Sequence, residues 1–217
     1  MERENLAAQE PLARRIGILG GTFNPPHLGH LRIAEQAHRE FALDKVIVLP
    51  VGIPPHKQQE AVLSAGQREQ MCRLFCQEGA FLELCTMELR REGYTYTIDT
   101  LRAFHKTLKP GQRIYYIIGT DTLFQLETWK EYEAVLSQDL CTFLCVPRPG
   151  DPMHKVQAKI WQLKEKYGVK ILLSAGAGPD ISSTMVREAL GRGERVDALV
   201  PARVLQFMGA EHVFEGA

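Results

Sequence analysis

The sequence predicts an α/β fold: a doubly wound, parallel sheet of about six strands with helices on both faces. Two observations carry this. Six short apolar runs are rich in β-branched residues, and segments of helical period lie between them. Regular alternation of strand and helix is the signature of parallel βαβ units, which build a doubly wound, Rossmann-like sheet.

The strands are expected at Ile16 to Leu19, Val46 to Val51, Phe81 to Leu89, Ile114 to Ile118, Thr142 to Val146 and Lys170 to Leu173. Leu31, Ala34, Ala37 and Phe41 recur at helical spacing after the first of them. Ser64, with Gln67 three residues later, has the form of a capping box for the next helix. Further helical patterns run from Ile98 to Leu108, Lys155 to Tyr167 and Ser183 to Leu190, and Pro201 is placed to open a last one. Pro54-Pro55, Pro147 to Pro152 and Gly176 to Pro179 read as loops. No repeat or composition break divides the chain, so residues 16–217 are expected to form one domain behind a loosely ordered extension, residues 1–15.

Composition narrows the function classes. In 217 residues, 26 basic side chains balance 26 acidic ones, so no net field favours nucleic acid or an anionic membrane. Phosphate binding, if present, must be local. Five cysteines contain no C-x-x-C pair and read as reduced thiols. The first residues lack the apolar core of a signal peptide, and no run approaches the length of a spanning helix. A cytoplasmic protein is expected, and self-association into a homo-oligomer stays open.

The most informative stretch is Gly20-Gly21-Thr22-Phe23-Asn24-Pro25-Pro26-His27-Leu28-Gly29-His30. It is neither G-x-G-x-x-G nor a Walker A loop. Paired glycines at a strand end let backbone approach a phosphate, and the following helix offers N–H groups and positive dipole. His27 and His30, at i and i+3, share one face of that helix start, where imidazole beside a polyphosphate can hold or gain a proton. Taken alone, two surface histidines in a Gly/Pro turn would also fit; zinc fits less well, because His-x-x-His supplies only two ligands. Near the other end, Ile181-Ser182-Ser183-Thr184-Met185-Val186-Arg187 suits a helix start and equally an anion clamp.

The first segment resembles the G-x-F-x-P-x-H-x-G-H signature of the nucleotidyltransferase superfamily, matched at Gly21, Phe23, Pro25, His27, Gly29 and His30. The second resembles its partner motif, I-S-S-T-x-[IV]-R. Three middle segments, Pro54-Pro55-His56-Lys57, Tyr96-Thr97-Ile98-Asp99-Thr100, and Ile118-Gly119-Thr120-Asp121 followed by Trp129, are similar to those of bacterial nicotinate-nucleotide adenylyltransferases, as is Arg148-Pro149-Gly150. The resemblance spans residues 16 to about 210.

That resemblance implies adenylyl transfer from ATP to nicotinic acid mononucleotide, with Mg²⁺ carried on ATP and no protein metal ligands. It implies catalytic roles for His27, His30 and Arg187. ATP would be held by Gly20, Gly21, Thr22, Phe23, Gly29, Gly119, Asp121, Ser182, Ser183 and Thr184. The mononucleotide would meet Thr22, His56, Lys57, Thr97, Asp99, Trp129 and Arg148, with Trp129 stacked on the pyridine ring and Thr97 beside its carboxylate. In isolation, Trp129 would more simply be a packing residue and Thr97 or Asp99 a helix cap. The chain departs from the family at Asn24, often Asp, and at Thr120, often Ala. Nicotinamide mononucleotide or phosphopantetheine as acceptor, and a non-catalytic dinucleotide sensor, are the alternatives.

Overall fold

A computed structural model describes residues 14–53, 62–137 and 139–214. Six parallel strands, β1 (Arg15–Gly21), β2 (Lys45–Pro50), β3 (Leu82–Leu84), β4 (Arg113–Gly119), β5 (Thr142–Val146) and β6 (Ile171–Leu173), form one sheet in the order β3-β2-β1-β4-β5-β6. Pairing is in parallel register throughout, with Ile18 of β1 opposite Ile47 of β2 and Tyr116 of β4. The helices are α1 (Leu28–Glu40), α2 (Ala65–Phe75), α3 (Thr97–Thr107), α4 (Thr120–Gln125), α5 (Tyr132–Ser137), α6 (Met153–Tyr167), α7 (Ser183–Gly191) and α8 (Ala202–Ala210).

Both faces of the sheet are covered, and side chains that alternate along each strand fill two separate cores. Val46 and Val48 of β2, Tyr115 and Ile117 of β4 and Leu144 of β5 pack on one side with residues of α1, α2, α7 and α8. Ile47 and Leu49, Ile114, Tyr116 and Ile118, and Phe143 and Cys145 pack on the other with residues of α3, α5 and α6. Each such buried aliphatic side chain contributes about 1.5–3 kcal/mol, so this two-sided burial is what selects continuous apolar strands over alternating ones.

Most expected elements stand within a residue or two of their places, including the reciprocal Ser64–Gln67 capping box of α2. Two expectations are corrected. The run Phe81 to Leu89 pairs only over Leu82–Leu84; past it the chain turns, with Arg90 N–H bonded to the Thr86 carbonyl, and buries Glu88. Helix α3 is preceded by Tyr96, without a side-chain cap, so neither Thr97 nor Asp99 caps it. Pro201 opens α8 as expected, standing as its N-cap just before Ala202. The short helices α4 and α5 lie where no helix is expected, because six residues are too few to show a period. The thiols are free, with Cys72, Cys141 and Cys145 buried and Cys76 and Cys85 half-buried.

In this strand order the chain reverses direction of winding between β1 and β4, and their carboxyl ends diverge into a crevice. The glycine-rich turn therefore opens at the switch point of the sheet.

Candidate active site

Two cavities meet over that switch point. One, of about 480 Å³, is lined by Thr22, Phe23, His27 and His30 from the first segment and by Ser182, Ser183, Thr184 and Arg187 from the last. The other, of about 440 Å³, is lined by Gly20, Gly21, Thr97, Gly119, Asp121 and Trp129, among others. Thr22, His30, Ile33 and Arg148 line both.

The histidines are set by the start of α1. His27 precedes the helix in an extended conformation and accepts the His30 N–H on Nδ1 at 3.4 Å, while His30 Nδ1 accepts the His27 N–H at 3.2 Å. A neutral imidazole that accepts on Nδ1 carries its proton on Nε2. Reciprocal capping thus fixes both rings, 3.7 Å apart between centroids, as Nε2–H donors. Burial, and secondarily the Arg148 guanidinium, lowers the His27 pKa to about 4. Without an anion beside it, His27 is neutral at physiological pH, so beside a polyphosphate it would gain its proton rather than bring one. The His30 ring also packs on Phe23, 4.7 Å away.

The two ends of the chain are joined through backbone carbonyls. Ser183 Oγ donates to the Pro25 carbonyl at 2.8 Å, and Arg187 Nη1 to that of Asn24 at 2.8 Å. Arg187 Nη2 also reaches Thr184 Oγ1 at 3.3 Å, and Ser182 caps α7 by accepting the Met185 N–H. Gly29 lines neither cavity. It lies behind His27, where a Cβ would sit 2.8 Å from His27 Nδ1 and 3.0 Å from the Ile181 carbonyl oxygen. Asn24 Oδ1 accepts the Leu63 N–H, a bond open equally to the Asp usual at this place.

In the second cavity one side of Trp129 packs edge-on to Tyr116 and Phe143, and the residue remains half-buried along the cavity wall. Packing and an available aromatic face coexist there. Thr97 opens α3 and lines this cavity together with the buried Tyr116. Gly20 lies under that ring, since a Cβ there would come within 2.5 Å of the Tyr116 hydroxyl. Asp121 pairs with Arg148 at 2.8 Å; both are well exposed, so the pair is worth at most about 1 kcal/mol and yields readily to a ligand. Asp99 is not brought to either cavity but faces Lys130 at 3.8 Å. His56 and Lys57 lie outside the described residues.

Sequence reasoning missed three groups around these cavities. Asp151 accepts both Thr120 Oγ1 and the Arg148 N–H at 2.6 Å, tying the turns after β4 and β5 together through the residue that departs from the family. Arg68 binds the loops after β1 and β2 from below. Glu88, buried along the second cavity, accepts Thr100 Oγ1 at 2.5 Å, and Thr100 in turn accepts from Arg91.

Burial raises the Glu88 pKa despite the Thr100 bond and Arg91. A carboxyl whose folded pKa exceeds its unfolded one stabilises below the ordinary carboxylate range and loses that contribution as pH rises through the folded value. Glu88→Gln keeps an acceptor for Thr100 and cannot ionise. It is expected to raise the melting temperature at pH 8 by about 2–4 °C, for roughly 1 kcal/mol, with the gap closing toward pH 4. Calorimetric melts across that range check this; a lower melting temperature at pH 8 would mean that the ionised carboxylate is net stabilising through Arg91.

A parallel sheet with this strand order, two histidines at the start of α1 and a hydroxyl–arginine helix start facing them define a nucleotide-transferring α/β enzyme. The model of the cytidylyltransferase-like family matches residues 18–189. A Desulfitobacterium hafniense protein described as "probable nicotinate-nucleotide adenylyltransferase" is 40% identical over 191 residues, 88% of this chain and 91% of that protein. One of the same description from Geobacter metallireducens is 36% identical over 214 residues, 92% and 98% of the two chains. The nicotinic acid mononucleotide adenylyltransferase of Plasmodium falciparum, solved in complex with NaAD, shares the fold, with a TM-score of 0.72 at 16% identity over 93% of this chain and 97% of that one. The chain belongs to the cytidylyltransferase-like family and, within it, to the nicotinate-nucleotide adenylyltransferases.

Proposed function

We propose that the protein transfers the adenylyl group of ATP to nicotinic acid mononucleotide, forming nicotinic acid adenine dinucleotide and releasing pyrophosphate. The observation that carries this reading is the junction of the two cavities at Thr22, His30 and Arg148: an anion clamp on one side, an aromatic wall and an open helix start on the other. Such a pair of sites brings the α-phosphorus of one nucleotide against the phosphate of another.

A phosphate monoester has a second pKa near 6, so the attacking oxygen is already deprotonated at neutral pH and no general base is required. The mononucleotide oxygen forms a bond to the α-phosphorus as the bond to the bridging oxygen breaks, and pyrophosphate leaves with that electron pair. The protein contributes positioning and charge neutralisation. His27 and His30 donate from Nε2 to oxygens around the α-phosphorus, and Arg187 exchanges its carbonyl partner for phosphate. Gly20, Gly21, Thr22 and Phe23 bring backbone close to the phosphates, and Ser182, Ser183 and Thr184 receive the leaving group. Asp121 and Gly119 meet the ATP ribose, which frees Arg148 for the mononucleotide phosphate together with Lys57 and His56. Trp129 stacks on the pyridine ring, and Thr97 with the uncapped N–H groups of α3 receives its carboxylate.

Mg²⁺ carried on ATP would supply further positive charge at the departing phosphates. Such an ion would be held mainly by phosphate oxygens and water. The helices among the described residues are all too short or too polar to cross a membrane, and the free thiols suit a reducing compartment, so we place the enzyme in the cytoplasm.

Pyrophosphate release from MgATP, measured with nicotinic acid mononucleotide, nicotinamide mononucleotide and phosphopantetheine in separate reactions, tests this. Release is expected mainly with the first. Release mainly with another keeps the chemistry and overturns the assignments in the second cavity; none with any of them favours a dinucleotide sensor.

A further inference from the structure

Arg68 is 3% exposed, and its guanidinium is surrounded by carbonyls. Nη1 donates to Val51 at 2.5 Å and to Thr22 at 3.1 Å, Nη2 to Gly52 at 3.0 Å, and Nε to Leu63 at 3.1 Å. No carboxylate pairs with it among the described residues. Burying an unpaired charge ordinarily costs several kcal/mol, while a neutral amide has two N–H donors and would leave two of these four carbonyls unbonded. Arginine at this place therefore needs a reason worth the cost of its charge.

Its partners supply one. Thr22 follows β1 and lines both cavities; Val51 and Gly52 follow β2 and lead toward residues 54–57, where Lys57 is expected to meet phosphate. A trans peptide points its C=O and the next N–H in opposite directions. A guanidinium that draws in the Thr22 and Val51 carbonyls turns the N–H groups of Phe23 and Gly52 away from itself. One buried side chain thus sets the peptide planes of both phosphate-facing loops and places a positive charge beneath them. Gly52 can carry no side chain, because a Cβ there would lie 2.3 Å from the Glu88 carbonyl oxygen.

We infer that Arg68 is a positioning residue for polyphosphate binding, orienting the loops after β1 and β2 and holding a charge that is balanced only when the nucleotide phosphates arrive. This rests on the adenylyl-transfer reading for its ligand. Its test is binding of MgATP and of magnesium pyrophosphate, measured by calorimetry without acceptor at 10 °C, for wild type, Arg68→Gln and Arg68→Lys shown to be folded by circular dichroism. Arg68→Gln is expected to bind both at least tenfold more weakly, and Arg68→Lys, which keeps the charge but not the fork, to recover part of that loss. Wild-type affinity in both variants, with only a lower melting temperature, would reduce Arg68 to a structural staple and overturn the inference. If Arg68→Gln does not fold, Arg68→Lys carries the test: at least threefold weaker binding is expected, and unchanged binding overturns it. A wild-type protein that binds MgATP but releases no pyrophosphate with any acceptor refutes the functional reading and leaves this one standing; one that binds no MgATP overturns both.

Discussion

His30→Ala is expected to lower kcat by about 100- to 1000-fold, the effect of removing one well-placed donor worth about 3 to 4 kcal/mol in the transition state. The same ring also caps α1, however, so alanine confounds catalysis with folding. His30→Asn separates them. Its amide oxygen reaches the place of Nδ1 and can still accept the His27 N–H, but nothing reaches the place of Nε2. The asparagine variant should therefore melt near the wild-type temperature and be as inactive as alanine in the pyrophosphate-release assay. Near wild-type turnover by His30→Asn would show that the Nε2 proton is not used and would withdraw the catalytic assignment. Because burial keeps His27 neutral and capping fixes the tautomer of both rings, donation comes from neutral imidazole until phosphate charge draws a proton in.

The capping geometry also marks the limit of what could be read from the sequence. Five strands were legible because burial on both faces demands continuous β-branched runs, and those runs are visible. The third was overextended because Met87 and Leu89 continue the apolar pattern after the chain has left the sheet, Met87 packing against the core and Leu89 lining a separate cavity. That the two terminal segments belong together was legible because glycine pairs, histidines at i and i+3, and a hydroxyl–arginine helix start are far more specific in that order than singly, and residues of both segments line one cavity. Asp99 shows the converse: a spacing that fits the motif says nothing about which way one carboxylate faces, and this one faces Lys130. Arg68, Glu88 and Asp151 left no signal at all. Each acts through burial or through contact with a distant loop, and a lone charged residue in a helix or turn looks the same whether buried or solvated.

Gly29→Ala sets two of these levels against each other. Gly29 is the second residue of α1, where alanine is intrinsically favoured by about 1 kcal/mol, so propensity alone predicts a more stable protein. Packing predicts the opposite. The added Cβ would fall 2.8 and 2.9 Å from His27 Nδ1 and Cε1 and 3.0 Å from the Ile181 carbonyl oxygen. His27 is buried and held by its cap, and Ile181 leads directly into Ser182, so relief must come from moving the ring, the last segment or both. A displacement near 1 Å at a reacting centre is enough to cost about 100-fold in rate. Gly29→Ala is expected to reduce kcat by about that factor and to lower rather than raise the melting temperature. Steady-state kinetics with a thermal melt decide it. A variant both active and more stable would mean that the His27 ring can swing aside without penalty, and that its position against His30 is not what the α-phosphorus requires.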